Sequence, residues 1–170
     1  DDKKNSNPFT GTLLKTRGKD VLFLEPGAPV PLDEPPARSP DLWNTAAEGE
    51  KGAPCWVEGA EWLYAGASPI VGGGCSCPTM RHHTDWYKRS FVPEAYRHSI
   101  GVLDTNGNLI MHLGRYGNFD SGDGPRSKIP VGGDGIAITF NEFVSGTDNY
   151  LVFDDHGERL AVLKLNYHAE

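Results

Sequence analysis

The segment GGGCSCPTMRHHTD (72–85) contains most of the residues that are suited to bind a transition metal ion. Cys75 and Cys77 offer thiolates, His82 or His83 offers an imidazole, and Cys55 completes a tetrahedral set, which would suit zinc or copper. A competing interpretation is a disulfide from Cys55 to either of the other cysteines, which closes a loop of about 20 residues and contributes about 3 kcal/mol. Buried free thiols are the third alternative, and the sequence leaves all three open.

Two other cysteine chemistries are disfavoured by spacing. Covalent haem attachment needs Cys-x-x-Cys-His, whereas Cys75-Ser76-Cys77 is one residue short and is followed by Pro78. We therefore expect no covalent haem on this chain. A disulfide between Cys75 and Cys77 would be strained, because neighbours this close do not easily reach the required Cα separation and dihedral angle.

Further polar residues near this segment are candidates for ligand contact. If RHHTD is a strand, His82 and His83 point to opposite faces, while His83 and Asp85 share one. His83, Asp85 and Arg89 are therefore candidate ligand contacts, although side chains that satisfy their own backbone are the more ordinary interpretation. A buried ion pair between Arg89 and Glu94 is the corresponding structural interpretation of those two residues.

A calcium site is the second metal hypothesis. Asn118, Asp120 and Asp123 in GNFDSGDG offer clustered oxygens of the kind that calcium prefers. Their spacing does not follow the EF-hand loop, so a surface turn is the better interpretation.

Composition narrows the class of protein. The 170 residues suffice for one domain with a hydrophobic core, and 16 basic against 23 acidic residues give a net charge of −7. No basic block stands out, so nucleic acid is not an expected partner. The longest apolar runs are far shorter than the ~20 residues of a membrane span, so membrane insertion is not expected. The start, DDKKNSN, has no apolar signal core, which fits either a cytoplasmic chain or one already trimmed.

The elements that must position these residues are short β-strands. Residues 1–55 combine short apolar pieces with the Pro-rich stretch 26–40, which predicts an extended arm with short strands. Residues 56–170 show short β-branched and aromatic runs separated by turn residues, which is typical of consecutive antiparallel strands. Asn106-Gly107 predicts a hairpin with a type I′ turn.

An internal repeat supports this organisation. FVPEAYRHSIGVLD (91–104) aligns without gaps on LVFDDHGERLAVLK (151–164), which places Glu94 on Asp154, Ile100 on Leu160 and Val102 on Val162. Repeats of this period are typical of propellers and solenoids. The second copy ends one strand short of a four-stranded unit, and we expect DVLFLE (20–25) to supply the missing strand.

The segment from CSCPTM to GNFDSGDG resembles NHL-repeat β-propeller proteins. In that family a strand ends in an acidic residue, an Arg-Ile or Arg-Val strand follows, and Asp-x-x-Gly precedes a strand ending in Phe-Gly. Here 91–94, 98–104 and 109–114 fill those places, and Arg159-Leu160 fills the Arg-Ile place in the second copy, whereas Ser99 stands where the first copy should have arginine. The resemblance implies an all-β fold of antiparallel propeller-like blades, here a partial propeller, because a closed ring needs at least about four four-stranded blades.

Three functions follow as hypotheses. The first is a non-catalytic binding or assembly module whose partner is another chain or the rest of a longer propeller, within an extracytoplasmic (periplasmic or secreted) complex. The second comes from the resemblance, which implies a zinc-dependent lyase with a role for His83. The third is an accessory subunit of a haem or electron-transfer complex, with the haem on another chain.

Overall fold

The computed structural model describes most of the chain. The described residues are 11–18, 20–24, 34–44, 53–67, 71–72, 75–76, 80–117, 136–155 and 159–166, with only the backbone at 71–72 and 75–76. Among them, no helix is long and apolar enough to cross a membrane.

The described residues form short β-strands and one 3₁₀ turn, Ala95–Arg97. The first seven strands are β1 (Gly11–Thr16), β2 (Leu22–Leu24), β3 (Leu42–Asn44), β4 (Ala53–Glu58), β5 (Ala60–Ala67), β6 (Val71–Gly72) and β7 (Cys75–Ser76). The others are β8 (His83–Thr84), β9 (Ser90–Glu94), β10 (Ser99–Leu103), β11 (Leu109–Leu113), β12 (Arg115–Tyr116), β13 (Ala137–Ile138), β14 (Val144–Gly146), β15 (Tyr150–Asp155) and β16 (Arg159–Lys164).

Three sheets determine the arrangement of the candidate sites. Strands β8 to β11 form a four-stranded antiparallel sheet, the central sheet, in which each strand pairs with its neighbour in sequence. Strands β14 to β16 form the C-terminal sheet with the same meander. Strands β1 and β5 pair antiparallel and form a two-stranded sheet, here named the hairpin sheet although its strands are not consecutive in sequence. There are three smaller sheets. One has the strand order β2-β4-β3, the second pairs β6 with β7, and the third pairs β12 with β13.

The central sheet is covered on both faces. Phe91, Ile100 and Val102 pack with residues of the C-terminal sheet such as Phe153 in one cluster of buried side chains. Val92 and Leu103 point the other way and pack against Trp62 and Tyr64 of the hairpin sheet. Every residue of β9 and β10 is buried, which explains why these strands read as continuous rather than alternating apolar runs.

Adjacent sheets also meet at their first strands. Arg81, just before β8, forms a parallel bridge with Phe143, just before β14. The N–H of Arg81 donates to the carbonyl of Glu142 at 3.1 Å, and the N–H of Val144 donates to the carbonyl of Arg81 at 2.8 Å. A four-stranded and a three-stranded meander packed face to face, with their first strands parallel, make the protein all-β with propeller-like blades; the described residues form no closed barrel. The predicted fold class is confirmed.

Strand pairing in the N-terminal third differs from one expectation. Leu22–Leu24 pairs with Glu58, Val57 and Trp56 of β4, so DVLFLE does not supply the missing fourth strand of the C-terminal sheet. Residues on the two sides of position 55 also pair with each other, because β1 joins β5 and β2 joins residues 56–58 of β4. The pairing partners of these short N-terminal strands cannot be predicted from their spacing in the sequence.

The hairpin at Asn106-Gly107 forms between β10 and β11, but its turn is not type I′. Within the turn only Gly107 has a positive φ, of 80°, whereas type I′ needs two such residues. The N–H of Gly107 donates to the carbonyl of Asp104 at 3.1 Å, and the Asp104 carboxylate accepts the N–H groups of Asn106 and Asn108. The aspartate thus shapes a longer turn through its side chain.

The repeat is also present, with its register shifted in one strand. In the β9–β10 hairpin of the central sheet, the last paired residues before the turn are Glu94 and Ser99. In the β15–β16 hairpin of the C-terminal sheet, they are Asp155 and Arg159. Glu94 therefore corresponds to Asp155, not to Asp154 as the gapless alignment predicted, because the first copy has one more residue in its turn. The second strand keeps the predicted register, with Ile100 equivalent to Leu160 and Val102 to Val162.

Candidate functional site

The cysteines of the predicted metal site are only partly described. Cys55 is 2% exposed in the middle of β4, Cys75 begins β7 with its backbone alone described, and Cys77 lies outside the described residues. No three Cys, His, Asp or Glu side chains converge as a metal site within the described part of the chain. The choice between a metal, a disulfide and free thiols stays open, and Asn118, Asp120 and Asp123 of the calcium hypothesis also lie outside the described residues.

The two histidines lie in different surroundings. His82 is exposed, whereas His83 in β8 is half-buried beside Phe91, with ring centroids 6.2 Å apart. Both border a cavity of about 710 Å³ next to the C-terminal sheet, together with Arg81, Phe143 and Leu160. The Nε2 atom of His83 is buried and has no hydrogen-bond partner among the described residues.

Asp85 and Arg89 are bound to each other. The Nε of Arg89 donates to Oδ2 of Asp85 at 2.8 Å, and the N–H of Arg89 donates to Oδ1 at 2.9 Å. The Asp85 side chain is fully buried, and the guanidinium also lies over the Phe91 ring, 5.5 Å from its centroid. The pair closes the turn between β8 and β9, which is a structural role; contact of either residue with a ligand stays a prediction.

The same pair recurs between β15 and β16. The Nη2 of Arg159 lies 2.6 Å from Oδ2 of Asp155, whose side chain is fully buried. Asp155 also accepts the backbone N–H groups of Thr139 and Phe140, at 3.1 and 3.0 Å. The sequence signal for both turns is Asp-x-x-x-Arg, present at 85–89 and again at 155–159. The repeat alignment missed it because the two copies of this spacing are 70 residues apart.

Glu94 takes the place of Asp155 in the central sheet but has different partners. Oε2 of Glu94 lies 2.7 Å from Oγ of Ser99 and 2.7 Å from Nδ1 of His112, and Oε1 accepts the hydroxyl of Tyr64. Glu94 is 2% exposed, so these groups replace the water that its carboxylate would otherwise need. The structure therefore gives Arg89 and Glu94 separate partners rather than the predicted mutual ion pair.

Gly101 makes room for this polar cluster. A Cβ atom at Gly101 would lie 3.0 Å from Oε1 of Glu94 and 3.1 Å from the hydroxyl of Tyr64. Burial, followed by the hydrogen bond to Glu94 and that carboxylate's charge, raises the pKa of Tyr64 well above its usual value. Tyr64 thus stays a neutral donor and ties the hairpin sheet to the central sheet. Sequence inspection missed the cluster because its members come from four strands.

The outward face of the C-terminal sheet is the largest departure from the repeat. In the central sheet Ile100 and Val102 are 0% and 4% exposed, whereas the equivalent Leu160 and Val162 are 70% and 60% exposed. Tyr150, on the same face of the sheet, is also exposed. We call Tyr150, Leu160 and Val162 the outer apolar face.

Comparison with known proteins does not identify a family for this chain. The chain matches no protein-family model and no curated protein. The likeness to NHL repeats accordingly stays a prediction from the sequence, and the fold rests on the strand pairing.

Proposed function

We propose that this chain is a non-catalytic binding or assembly module that joins its C-terminal sheet to a further β-sheet. That sheet belongs to another protein chain or to the rest of a longer propeller, within an extracytoplasmic complex. The observation that carries the proposal is the exposure of Leu160 and Val162 at positions where the first copy of the repeat is buried.

The first copy supplies the precedent for what covers such a face. Ile100 and Val102 of the central sheet are buried because the C-terminal sheet packs on them with Leu151, Phe153 and Ala161. Sheets stacked in this way lie about 10 Å apart, so a partner sheet with similar aliphatic side chains would fit the outer apolar face. Burying a Leu or Val side chain fully contributes about 1.5–3 kcal/mol, so two such residues favour association appreciably.

The experiment compares association in two matched variants. We expect the purified chain to associate, with itself or with its partner sheet, in size-exclusion chromatography with light scattering. The double variant Leu160→Lys with Val162→Lys should abolish association without lowering the free energy of unfolding, because both side chains are exposed.

The control is Ile110→Lys, which changes an aliphatic residue of β11 that is 54% exposed and lies outside this face. It should leave association intact. A well-folded lone monomer that binds no other chain would contradict the proposal, as would equal effects of the control and the double variant.

The zinc-lyase and haem-accessory hypotheses remain separate predictions. No contact among the described residues favours either of them over the assembly module. Elemental analysis tests the first, for which about one metal ion per chain is expected, and a visible absorption spectrum of the native complex tests the second.

A further inference from the structure

A second cavity lies between the hairpin sheet and the central sheet. Its volume is about 540 Å³, within the range of about 300–1,000 Å³ that small-molecule sites occupy. One wall carries Leu13, Leu14 and Trp62 of the hairpin sheet. The opposite side carries polar residues of the central sheet and its turns, chiefly His82, Thr84, Lys88, Ser90 and Asp104.

Among the described residues, the ammonium of Lys88 in this cavity lacks a partner for its charge. Lys15 also lines it, but its ammonium already binds Glu61 and the carbonyl of Thr105, both at 3.0 Å. The Asp104 carboxylate is bound by the N–H groups and the side-chain amide of its own turn. Lys88 has no ion-pair or hydrogen-bond partner for its ammonium in the described part of the chain. The Lys88 ammonium therefore favours a negatively charged group beside it, against the overall net charge of −7.

The backbone of Lys88 is held in an unusual conformation. Its φ is 62°, in the left-handed region that non-glycine residues rarely occupy. The N–H of Lys88 donates to the carbonyl of Asp85 at 3.0 Å, and the buried pair of Asp85 and Arg89 fixes both ends of the turn. Such strain persists only where the surrounding structure enforces it, and here the turn keeps a lysine beside the cavity.

The remaining walls fit an organic rather than a bare anion. Trp62 is fixed by its Nε1–H, which donates to the carbonyl of Thr105 at 3.0 Å, and by Gly107, where a Cβ would lie 2.5 Å from the indole. The hydroxyls of Thr84 and Ser90 share a hydrogen bond of 3.5 Å in which either can be the donor, which leaves one hydroxyl proton to donate to a ligand oxygen. The cavity thus combines a rigid aromatic and aliphatic wall with a hydroxyl donor and the ammonium of Lys88.

We propose that this cavity binds a small organic anion, whose carboxylate or phosphate group lies at Lys88 and the two hydroxyls while its apolar part packs against Trp62 and Leu13. The site is independent of the outer apolar face. A negative result for the anion site would therefore leave the proposed assembly function unaffected, and the reverse also holds.

Calorimetric titration of the full chain at low ionic strength tests the site with phenyl phosphate and with benzoate. We expect at least one of them to bind, and Lys88→Gly to raise its Kd by about tenfold or more, equivalent to about 1.4 kcal/mol. Lys88→Gly is suited to the test because glycine relieves the positive φ, so the variant should fold at least as well as the parent.

Two further variants control for charge. Lys88→Arg should keep most of the affinity, and Lys164→Ala, at an exposed lysine of β16, should leave it unchanged. The proposal is wrong if neither probe binds at concentrations up to about 10 mM. It is also wrong if Lys88→Gly leaves the Kd unchanged, or if inorganic phosphate binds as tightly as phenyl phosphate.

Discussion

Arg89 closes the turn that begins at Asp85 by binding the buried Asp85 carboxylate with both its guanidinium and its backbone N–H, at 2.8 and 2.9 Å. Asp155 and Arg159 repeat the side-chain part of this arrangement in the C-terminal sheet. Each pair joins two neighbouring antiparallel strands, and each aspartate is fully buried. These turns therefore depend on a charge that has no access to water.

Replacing Arg89 with Met should destabilise the protein by about 3 kcal/mol or more, because Asp85 would remain buried without its counter-charge. Urea unfolding measures the change in free energy. The matched control is Arg38→Met, since Arg38 pairs with Asp41 at 2.6 Å but is 46% exposed, and its loss should cost about 1 kcal/mol or less. Equal losses in the two variants would show that the burial of Asp85 is not what matters.

The sequence predicts the class of fold well, because strand signals are local. The short β-branched and aromatic runs and the turn at Asn106-Gly107 reflect contacts between neighbours in the chain, and the central and C-terminal sheets are meanders of such neighbours. The pairing of β1 with β5 spans more than 40 residues and has no comparable local signal. The N-terminal strands were therefore the least predictable part.

The candidate sites were harder to predict for the same reason. Asp85 and Arg89 are four positions apart, so their contact is local, but the sequence around them also predicts contacts with a ligand. The cavity at Lys88 joins residues that are more than 70 positions apart, such as Leu13 and Ser90. The partners of Glu94 likewise come from three other strands, so neither site has a spacing that a sequence motif could show.

Gly107→Ala should be more destabilising than Gly18→Ala. Both glycines have positive φ, 80° and 72°, but a Cβ at Gly107 would lie 2.5 Å from Trp62 whereas none of the described atoms lies within 4 Å of one at Gly18. The backbone strain alone costs about 1–2 kcal/mol, and displacing the indole adds to it at Gly107 only. Thermal unfolding of the two variants measures the difference, and equal shifts in Tm would contradict this account of Gly107.

Tyr64→Phe should destabilise the protein most at neutral pH and progressively less as the solution becomes alkaline. The pKa of Tyr64 is raised in the folded state, so the unfolded chain releases this proton first as the pH rises through about 10, its ordinary value. The contribution of Tyr64 to stability is therefore present below pH 10 and lost above it. At neutral pH the lost hydrogen bond to a carboxylate should cost about 1.5–3 kcal/mol.

Urea unfolding of Tyr64→Phe and the parent between pH 7 and 11 measures this trend. Tyr150→Phe, at an exposed tyrosine of the outer apolar face, is the matched control and should not change the free energy of unfolding at pH 7. A difference between Tyr64→Phe and the parent that stays constant up to pH 11 would contradict the proposed link between Tyr64 ionisation and folding.

The equivalent positions Ile100 and Leu160 should respond oppositely to truncation in the isolated chain. Ile100→Ala should cost about 2–5 kcal/mol, because it leaves a cavity in the cluster between the central and C-terminal sheets. Leu160→Ala should change stability by no more than about 0.5 kcal/mol, because 70% of Leu160 is exposed. Chemical unfolding gives both values at one protein concentration, below that at which the chain associates. If Leu160→Ala were as costly as Ile100→Ala under those conditions, other parts of the same chain would already cover the outer apolar face, and the proposed partner sheet would have no place to bind.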